Sequence, residues 1–221
     1  MKFRHESKHQ INLLDVYELK TRLSIVAKHD SNADANGTYT VKSLYFDNYT
    51  DKALREKIDG VNKREKFRIR YYGTDTSFIR LEKKSKINGL CSKESCRMTA
   101  EECQKILTGE IEFLKSSESE LMNEFYAKMK YQLLRPTCIV AYTRESFVYP
   151  PGNVRVTLDR NIRGSYCIRE FLNPDLPFLQ TYHGSILEVK WDEFLPQIIR
   201  DCVQLPVRRS AAFSKYAAVR I

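Results

Sequence analysis

The sequence predicts an α+β fold in which antiparallel hairpins dominate and helices pack around the sheet. Two observations carry this reading. Segment after segment alternates polar and apolar residues with period two and is rich in β-branched and aromatic side chains. Turn-forming residues separate several of these segments, at Asp59-Gly60, Tyr72-Gly73, Asn88-Gly89 and Pro150-Pro151-Gly152-Asn153, while helical patterns are few and short.

In chain order, the opening residues Lys2–Lys8 alternate and read as a strand. Asn12 is placed to cap a helix whose apolar residues Leu13, Val16, Leu19, Leu23 and Val26 recur at three and four. The polar run from His29 to Gly37 reads as a connector. Strands are predicted over Tyr39–Asp47, Lys66–Tyr72 and Phe78–Lys86. Thr99-Ala100-Glu101-Glu102 is a capping box that opens a helix stopped by Gly109, and residues 118–131 read as a further helix. Strands follow over Ile139–Val148, Val154–Asp159 and Ser185–Lys190. A helix is predicted from Trp191 to Cys202, with Pro196 near its first turn, and a short one closes the chain from Ser214 to Val219.

The 221 residues suit one domain with a substantial core, residues 1–221, and no repeat or linker divides them. Hydrophobic residues make up 42% and aromatics 11%, which excludes a disordered chain. No apolar run approaches the roughly 20 residues of a membrane span, and the first ten residues hold no apolar signal core. Six cysteines without a CxxC pair read as reduced thiols in a cytosol rather than a disulfide framework or a zinc site. The net charge of +9 points to an anionic partner.

The polar faces of the strands say more. Lys66, Arg68 and Arg70 share one face of their strand, and Arg80, Glu82, Lys84 and Lys86 share one face of the next. Arg4, Glu6 and Lys8 do the same at the start, as do Tyr142 with Arg144, Arg155 with Thr157 and Asp159, and Glu188 with Lys190. Any one such face suits a solvated sheet. Together they gather about ten cations against four carboxylates, and like charges on adjacent strands repel. If the sheet closes, this face becomes a lumen, and arginine forks suit phosphate oxygens there.

These residues resemble the VTC domain, the polyphosphate polymerase branch of the triphosphate tunnel metalloenzymes. The resemblance runs in order through Arg4-His5-Glu6-Ser7-Lys8, Ser43-Leu44-Tyr45-Phe46-Asp47-Asn48, Lys57-Ile58-Asp59-Gly60 and Arg64-Glu65-Lys66-Phe67-Arg68-Ile69-Arg70-Tyr71. It continues through Leu81-Glu82-Lys83-Lys84, Arg135-Pro136, Tyr142-Thr143-Arg144, Arg155-Val156-Thr157-Leu158-Asp159, Leu187-Glu188-Val189-Lys190 and Phe213-Ser214-Lys215-Tyr216. It implies a closed eight-stranded antiparallel β-barrel, a triphosphate tunnel with peripheral helices. It also implies an enzyme that moves the γ-phosphoryl group of ATP onto a growing polyphosphate chain.

Carried over residue by residue, the resemblance gives the reaction to Arg68, Arg70, Lys84, Arg144, Arg155 and Lys215. Substrate would be held by Arg4, Lys8, Lys66, Lys86, Lys93, Lys190 and Ser214. Glu188, with Glu6 and Glu82, would hold Mn²⁺ or Mg²⁺. The partners implied are ATP and polyphosphate, with peripheral association at the inner face of a membrane as an option in this family. Two departures stand out. Arg4 replaces the first glutamate of the superfamily's ExExK opening, which favours polymerase over triphosphatase. Ala212 stands where the family places a lysine before Phe-Ser-Lys, with Arg208 and Arg209 as neighbouring substitutes. An inorganic triphosphatase and a non-catalytic polyphosphate or nucleotide binder are the alternatives. Nucleic acid is disfavoured, because the cations alternate with apolar residues inside strands rather than lying on an open stacking surface.

Overall fold

A computed structural model describes residues 3–221, so Lys2, the first residue of the predicted opening strand, lies outside the described residues. Ten strands and six helices make up the described chain. The strands are β1 (Phe3–Ile11), β2 (Lys28–His29), β3 (Thr38–Asp47), β4 (Arg64–Tyr72), β5 (Asp75–Ile87), β6 (Leu90–Met98), β7 (Arg135–Tyr149), β8 (Val154–Ser165), β9 (Leu179–Tyr182) and β10 (Ser185–Trp191). The helices are α1 (Leu13–Val26), α2 (Lys52–Ile58), α3 (Ala100–Thr108), α4 (Glu120–Tyr131), α5 (Gln197–Val203) and α6 (Lys215–Arg220).

Eight strands form a closed antiparallel ring in the order β7-β3-β4-β5-β6-β1-β10-β8, and β8 returns to pair with β7. The small β2 and β9 extend β7 and β8 outside the ring. The ring is an antiparallel barrel with no free edge among its eight members.

All seven strands predicted from the sequence are present. The structure adds β6, whose Cys91-Ser92-Lys93-Glu94-Ser95-Cys96 run holds no β-branched or aromatic residue to announce it. The turn that leads into it is the better signal. Asn88 and Gly89 both adopt positive φ (50° and 82°), the two-residue turn that Asn-Gly favours and that feeds one antiparallel strand into the next.

The helix predicted from Trp191 is shorter than expected. Trp191 ends β10 paired with His5, and only residues from Gln197 onward are helical. Pro196 sits at the cap with extended ψ (140°), where its missing N–H costs nothing. The structure also adds α2, β2 and β9, each of seven residues or fewer and too short to show a period in the sequence. Asn12 and Thr99 cap α1 and α3 as predicted, each with a reciprocal capping box.

The outer wall carries two apolar layers. Leu44, Phe46, Phe67, Ile69 and Leu81 point outward onto α3 and α4, where Phe125 meets Phe46 edge-on and stacks on Phe67. Leu158, Leu187 and Val189 point onto α1 and α5. A third layer is different. Val41, Val140 and Ile186 lie on the inward face and pack on Tyr216 and Val219 of α6, so the last helix fills one side of the barrel interior. The rest of the interior is charged.

Candidate active site

Alternation fixes which side chains reach the lumen, and closure of the ring fixes which of them meet. A central cavity of about 320 Å³ is lined by Lys8, Lys66, Arg68, Arg70, Lys84, Lys93, Arg144, Arg155, Lys190 and Lys215, with Glu6, Glu188 and Ser214. The arginines and lysines predicted to face inward along these strands do so.

Two carboxylates stand side by side in this cavity. Glu6 on β1 lies opposite Lys190 of β10, and Lys8 lies opposite Glu188. Lys8 Nζ bridges the two, at 3.2 Å from Glu6 and 3.3 Å from Glu188. Lys190 Nζ sits 2.9 Å from Glu188, and Lys84 Nζ 2.7 Å from Glu6. Burial and repulsion from Glu188 would raise the Glu6 carboxyl, but Lys8, Lys84 and Lys190 outweigh both and hold it down at about 2. Glu188 is likewise held well below the carboxylate range, against burial, by Lys190, Lys8 and Arg144. Burial dominates at Lys190 and brings its ammonium down to about 8 despite the two glutamates.

A second cluster joins β7, β8 and α6. Arg144 holds Asp159 through two hydrogen bonds (Nε to Oδ1 2.7 Å, Nη2 to Oδ2 2.8 Å) and reaches Glu188 at 3.5 Å. Lys215 adds a contact to Asp159 at 2.5 Å, and its ammonium lies 4.6 Å from the Tyr142 ring centre. The nearer sequence neighbours of Asp159 go elsewhere. Arg155 pairs with Asp30 at 3.0 Å, and Arg160, past an irregularity in the β7–β8 register, turns outward to Glu145.

Glu82 belongs to a third group. Arg68 grips it (Nη2 to Oε2 2.6 Å), Lys93 reaches it at 3.1 Å, and Arg70 stands 3.9 Å away. It shares no ion-pair partner with Glu6 or Glu188 among the described residues. Its geometry is that of a counter-ion for arginines. Among the described residues no three His, Cys, Asp or Glu side chains gather into a metal-holding group. The donors that fit a hard divalent cation are the paired Glu6 and Glu188, and phosphate oxygens and water would have to complete its shell.

Other predicted residues lie at the rim. Arg4 is drawn to Asp192 (2.8 Å) and to the Asn153 carbonyl. Lys86 lines the end of the lumen beside Arg64. Ser214 caps α6, its hydroxyl accepting from the Ala217 amide at 3.4 Å, which aims Lys215 inward. Ala212 lines the same end as Lys86, but neither suggested substitute reaches it: Arg208 is tied to Asp15 on α1 at 2.7 Å and Arg209 is exposed. Lys57 on α2 does, donating to the Ala212 carbonyl at 2.5 Å. Burial, with Arg64, Lys8 and Lys86 nearby, lowers its ammonium. Lys57 belongs to one of the segments that carry the family resemblance, but α2 is too short for the sequence to reveal that it turns toward this end. Tyr45 also lines the lumen.

The VTC domain model matches residues 3–220. The chain belongs to the VTC domain family. No curated protein matches it significantly. Among solved structures, the PH1012 protein from Pyrococcus horikoshii OT3 is similar with a TM-score of 0.55 and 12% identity, covering 98% of this chain and 99% of that one. A protein of Bacillus halodurans, provisionally assigned as an adenylate cyclase, has a TM-score of 0.54 and 12% identity, covering 91% of this chain and 86% of that one. At such identity the likeness is one of fold. Membership of the VTC family places the cationic lumen in a barrel of tunnel type, and no helix of the described residues is long and apolar enough to cross a membrane.

Proposed function

We propose that this VTC domain is an ATP-dependent polyphosphate polymerase that transfers the γ-phosphoryl group of ATP to the end of a polyphosphate chain inside its tunnel. The observation that carries the reading is a row of like charges. Lys66, Lys84 and Lys93 stand directly opposite one another on β4, β5 and β6, all on the lumen side. Like charges in register destabilise a sheet unless something neutralises them. Glu6 meets Lys84 and Glu82 meets Lys93, yet half-buried Lys66 has no carboxylate partner among the described residues. A condensed phosphate chain supplies the missing negative charge and the acceptors for these donors.

Phosphoryl transfer asks the protein for position and charge neutralisation more than for covalent chemistry. Arg68 and Arg70, fixed by Glu82, Ser43 and the Tyr142 hydroxyl, present planar donors to one side of the lumen. Arg144 and Lys215, fixed by Asp159, present theirs from the other. Opposed clamps of this kind hold attacking and leaving phosphates in line and offset the charge of the group in flight. Glu188 with Glu6 would hold Mn²⁺ or Mg²⁺, which would supply positive charge to offset that of the phosphates. Lys8 and Lys190 each contact both glutamates, which supports a site that favours positive charge there. The lumen arginines keep their charge throughout, since nearby carboxylates hold Arg68 and Arg144 well above the usual guanidinium value against the pull of burial.

Purified protein with ATP and Mn²⁺ should form long-chain polyphosphate and ADP, read by gel and by phosphorus NMR. Glu188→Gln, which keeps shape and removes charge, should cut the rate at least roughly a thousandfold. Free phosphate without polymer identifies a triphosphatase instead, and tight tripolyphosphate binding with no turnover identifies a binding module.

A further inference from the structure

The end of the tunnel opposite Lys57 is built from different chemistry. Along the inward face of β4 the order runs Lys66, Arg68, Arg70, Tyr72, so the cations give way to an aromatic ring. The strands on either side also place rings at this end, Tyr39 from β3 and Phe78 from β5. Because β3, β4 and β5 are adjacent in the barrel, the three rings form a collar on one side of the opening. Tyr39 and Tyr72 meet edge to face with ring centres 5.7 Å apart. Phe78 is 39% exposed, and the Arg80 guanidinium lies 4.8 Å from its ring centre.

The collar fronts a chamber of about 790 Å³, against about 320 Å³ for the central cavity. A chamber of this size, with flat apolar walls and a few polar groups, suits a small organic ligand. Asp30, Asp34 and Asp75 line it, and two of its cations are already paired, Arg155 with Asp30 and Lys93 with Glu82. It therefore suits phosphate less well than the centre does, while carboxylates accept readily from hydroxyls. A condensed phosphate chain gains nothing from aromatic faces, whose negative side repels anions. A nucleotide has a part for each region, and the two regions are in register. Arg80 stands opposite Arg70 and Tyr39 opposite Arg144, so the rings begin where the arginine clamps end. Tyr72 lies two residues beyond Arg70 on the same face, about 7 Å along the strand, the reach of one ribose between a base and its first phosphate.

We propose that this chamber is a nucleoside subsite, in which the base of a nucleoside triphosphate stacks on the collar of Tyr39, Tyr72 and Phe78. The carboxylates beside it receive the ribose hydroxyls, and Arg80, which already lies over Phe78, offers a second flat face. The nucleotide then lies in one direction only, with its base at the aromatic end and its triphosphate on the central arginines. The polyphosphate chain, which is all charge, extends toward the Lys57 end. How the nucleotide is used rests on the polymerase reading; how it lies rests on the collar.

Calorimetry on the full-length chain tests this with magnesium and two probes: adenosine imidotriphosphate, a non-transferring ATP analogue, and tripolyphosphate. Tyr72→Ala and Phe78→Ala should each weaken the analogue roughly tenfold or more, as loss of a base-stacking ring does. Tyr72→Phe, which keeps the ring, should restore most of that affinity. Tripolyphosphate should stay within about twofold of wild type in all three, because the lost rings hold no charge for it. Equal loss of both probes overturns the subsite and leaves the rings a structural role. Unchanged analogue binding in both alanine variants overturns it too. In turnover, Tyr72→Ala should raise KM for ATP with kcat little changed. Polymer from wild type, with KM unmoved in both alanine variants, sinks the subsite alone. A selective loss of the analogue, with no polymer from wild type, sinks the polymerase reading and leaves the subsite standing.

Discussion

The two ends of the tunnel differ in sign. One end is lined by Lys8, Lys57, Arg64, Lys66, Lys84 and Lys86 with only Glu6 and Glu65 as carboxylates. The other is lined by Asp30, Asp34, Asp75 and Glu82 against Arg80, Lys93 and Arg155. Both open onto the same central cavity, since each shares lining residues with it. At the first end the cations crowd one another, and Lys57 is held by a backbone carbonyl rather than a carboxylate. At the second the cations are spoken for, with Arg155 on Asp30 and Lys93 on Glu82. On the proposed function, a polyanion approaching from bulk water would be drawn to the first end rather than the second, because a low-dielectric rim focuses the field of uncompensated charge.

The most severe challenge to this contrast lies at the centre that both ends reach. Arg144→Met should remove the clamp on Asp159 and Glu188 together, abolish turnover within the detection limit, and cost about 3 kcal/mol or more of stability in denaturant titration, because it leaves a buried carboxylate short of its partner. If turnover survives, the chemistry lies at an end rather than the centre. Next comes the asymmetry itself. Lys57→Glu should weaken tripolyphosphate binding roughly tenfold in low salt, with the gap narrowing as salt rises, whereas Asp34→Lys at the opposite end should change it by less than about twofold. Equal effects from both ends would show that the asymmetry does not steer the ligand.

Acid stability should respond least. The Asp159 carboxyl, raised by burial but lowered more by Arg144 and Lys215, sits at about 2 against an ordinary 3.8. A carboxylate whose folded value is depressed stabilises the fold above its unfolded value, and that contribution fades as pH falls through the window from about 4 to about 2. It amounts to about 2 kcal/mol. Thermal unfolding followed across that window should show the loss in wild type and little pH dependence from this site in Asp159→Asn. A wild-type curve that stays flat there would mean that the clamp at the centre contributes little to the fold.

Much of the site is legible in the alternation of residues along single strands. Lys66, Arg68 and Arg70 sit at alternate positions of β4, and only a one-residue slip in register could turn them outward. Glu82 shows where that legibility stops. Alternation places it in the lumen correctly, but whether it holds a metal or an arginine depends on which strand lies beside it, and β4 brings Arg68 directly opposite. Asp47 is a similar case. It ends β3 as a strand-end residue should, yet it also accepts from the Ala53 and Leu54 amides and the Tyr216 hydroxyl (2.7 Å), which ties α2 and α6 to one point. That tie is what sets Lys57 and Lys215 at their places.

The order of residues alone sets the alternation, hence the sign of the inner wall and the apolar outer face that helices must cover, because side-chain direction along a strand has a period of two whatever the strand's neighbours are. The pairings across the lumen come from the closed barrel and from nothing local: Glu6 with Glu188 through Lys8, Asp159 with Arg144 and Lys215, Lys57 against Ala212, and Tyr45 beside Lys66. Several of those contacts join opposite ends of the chain, as Lys8 and Glu188 show by their 3.3 Å approach across β1 and β10. Closing the ring sets such distances, and no short-range pattern encodes them.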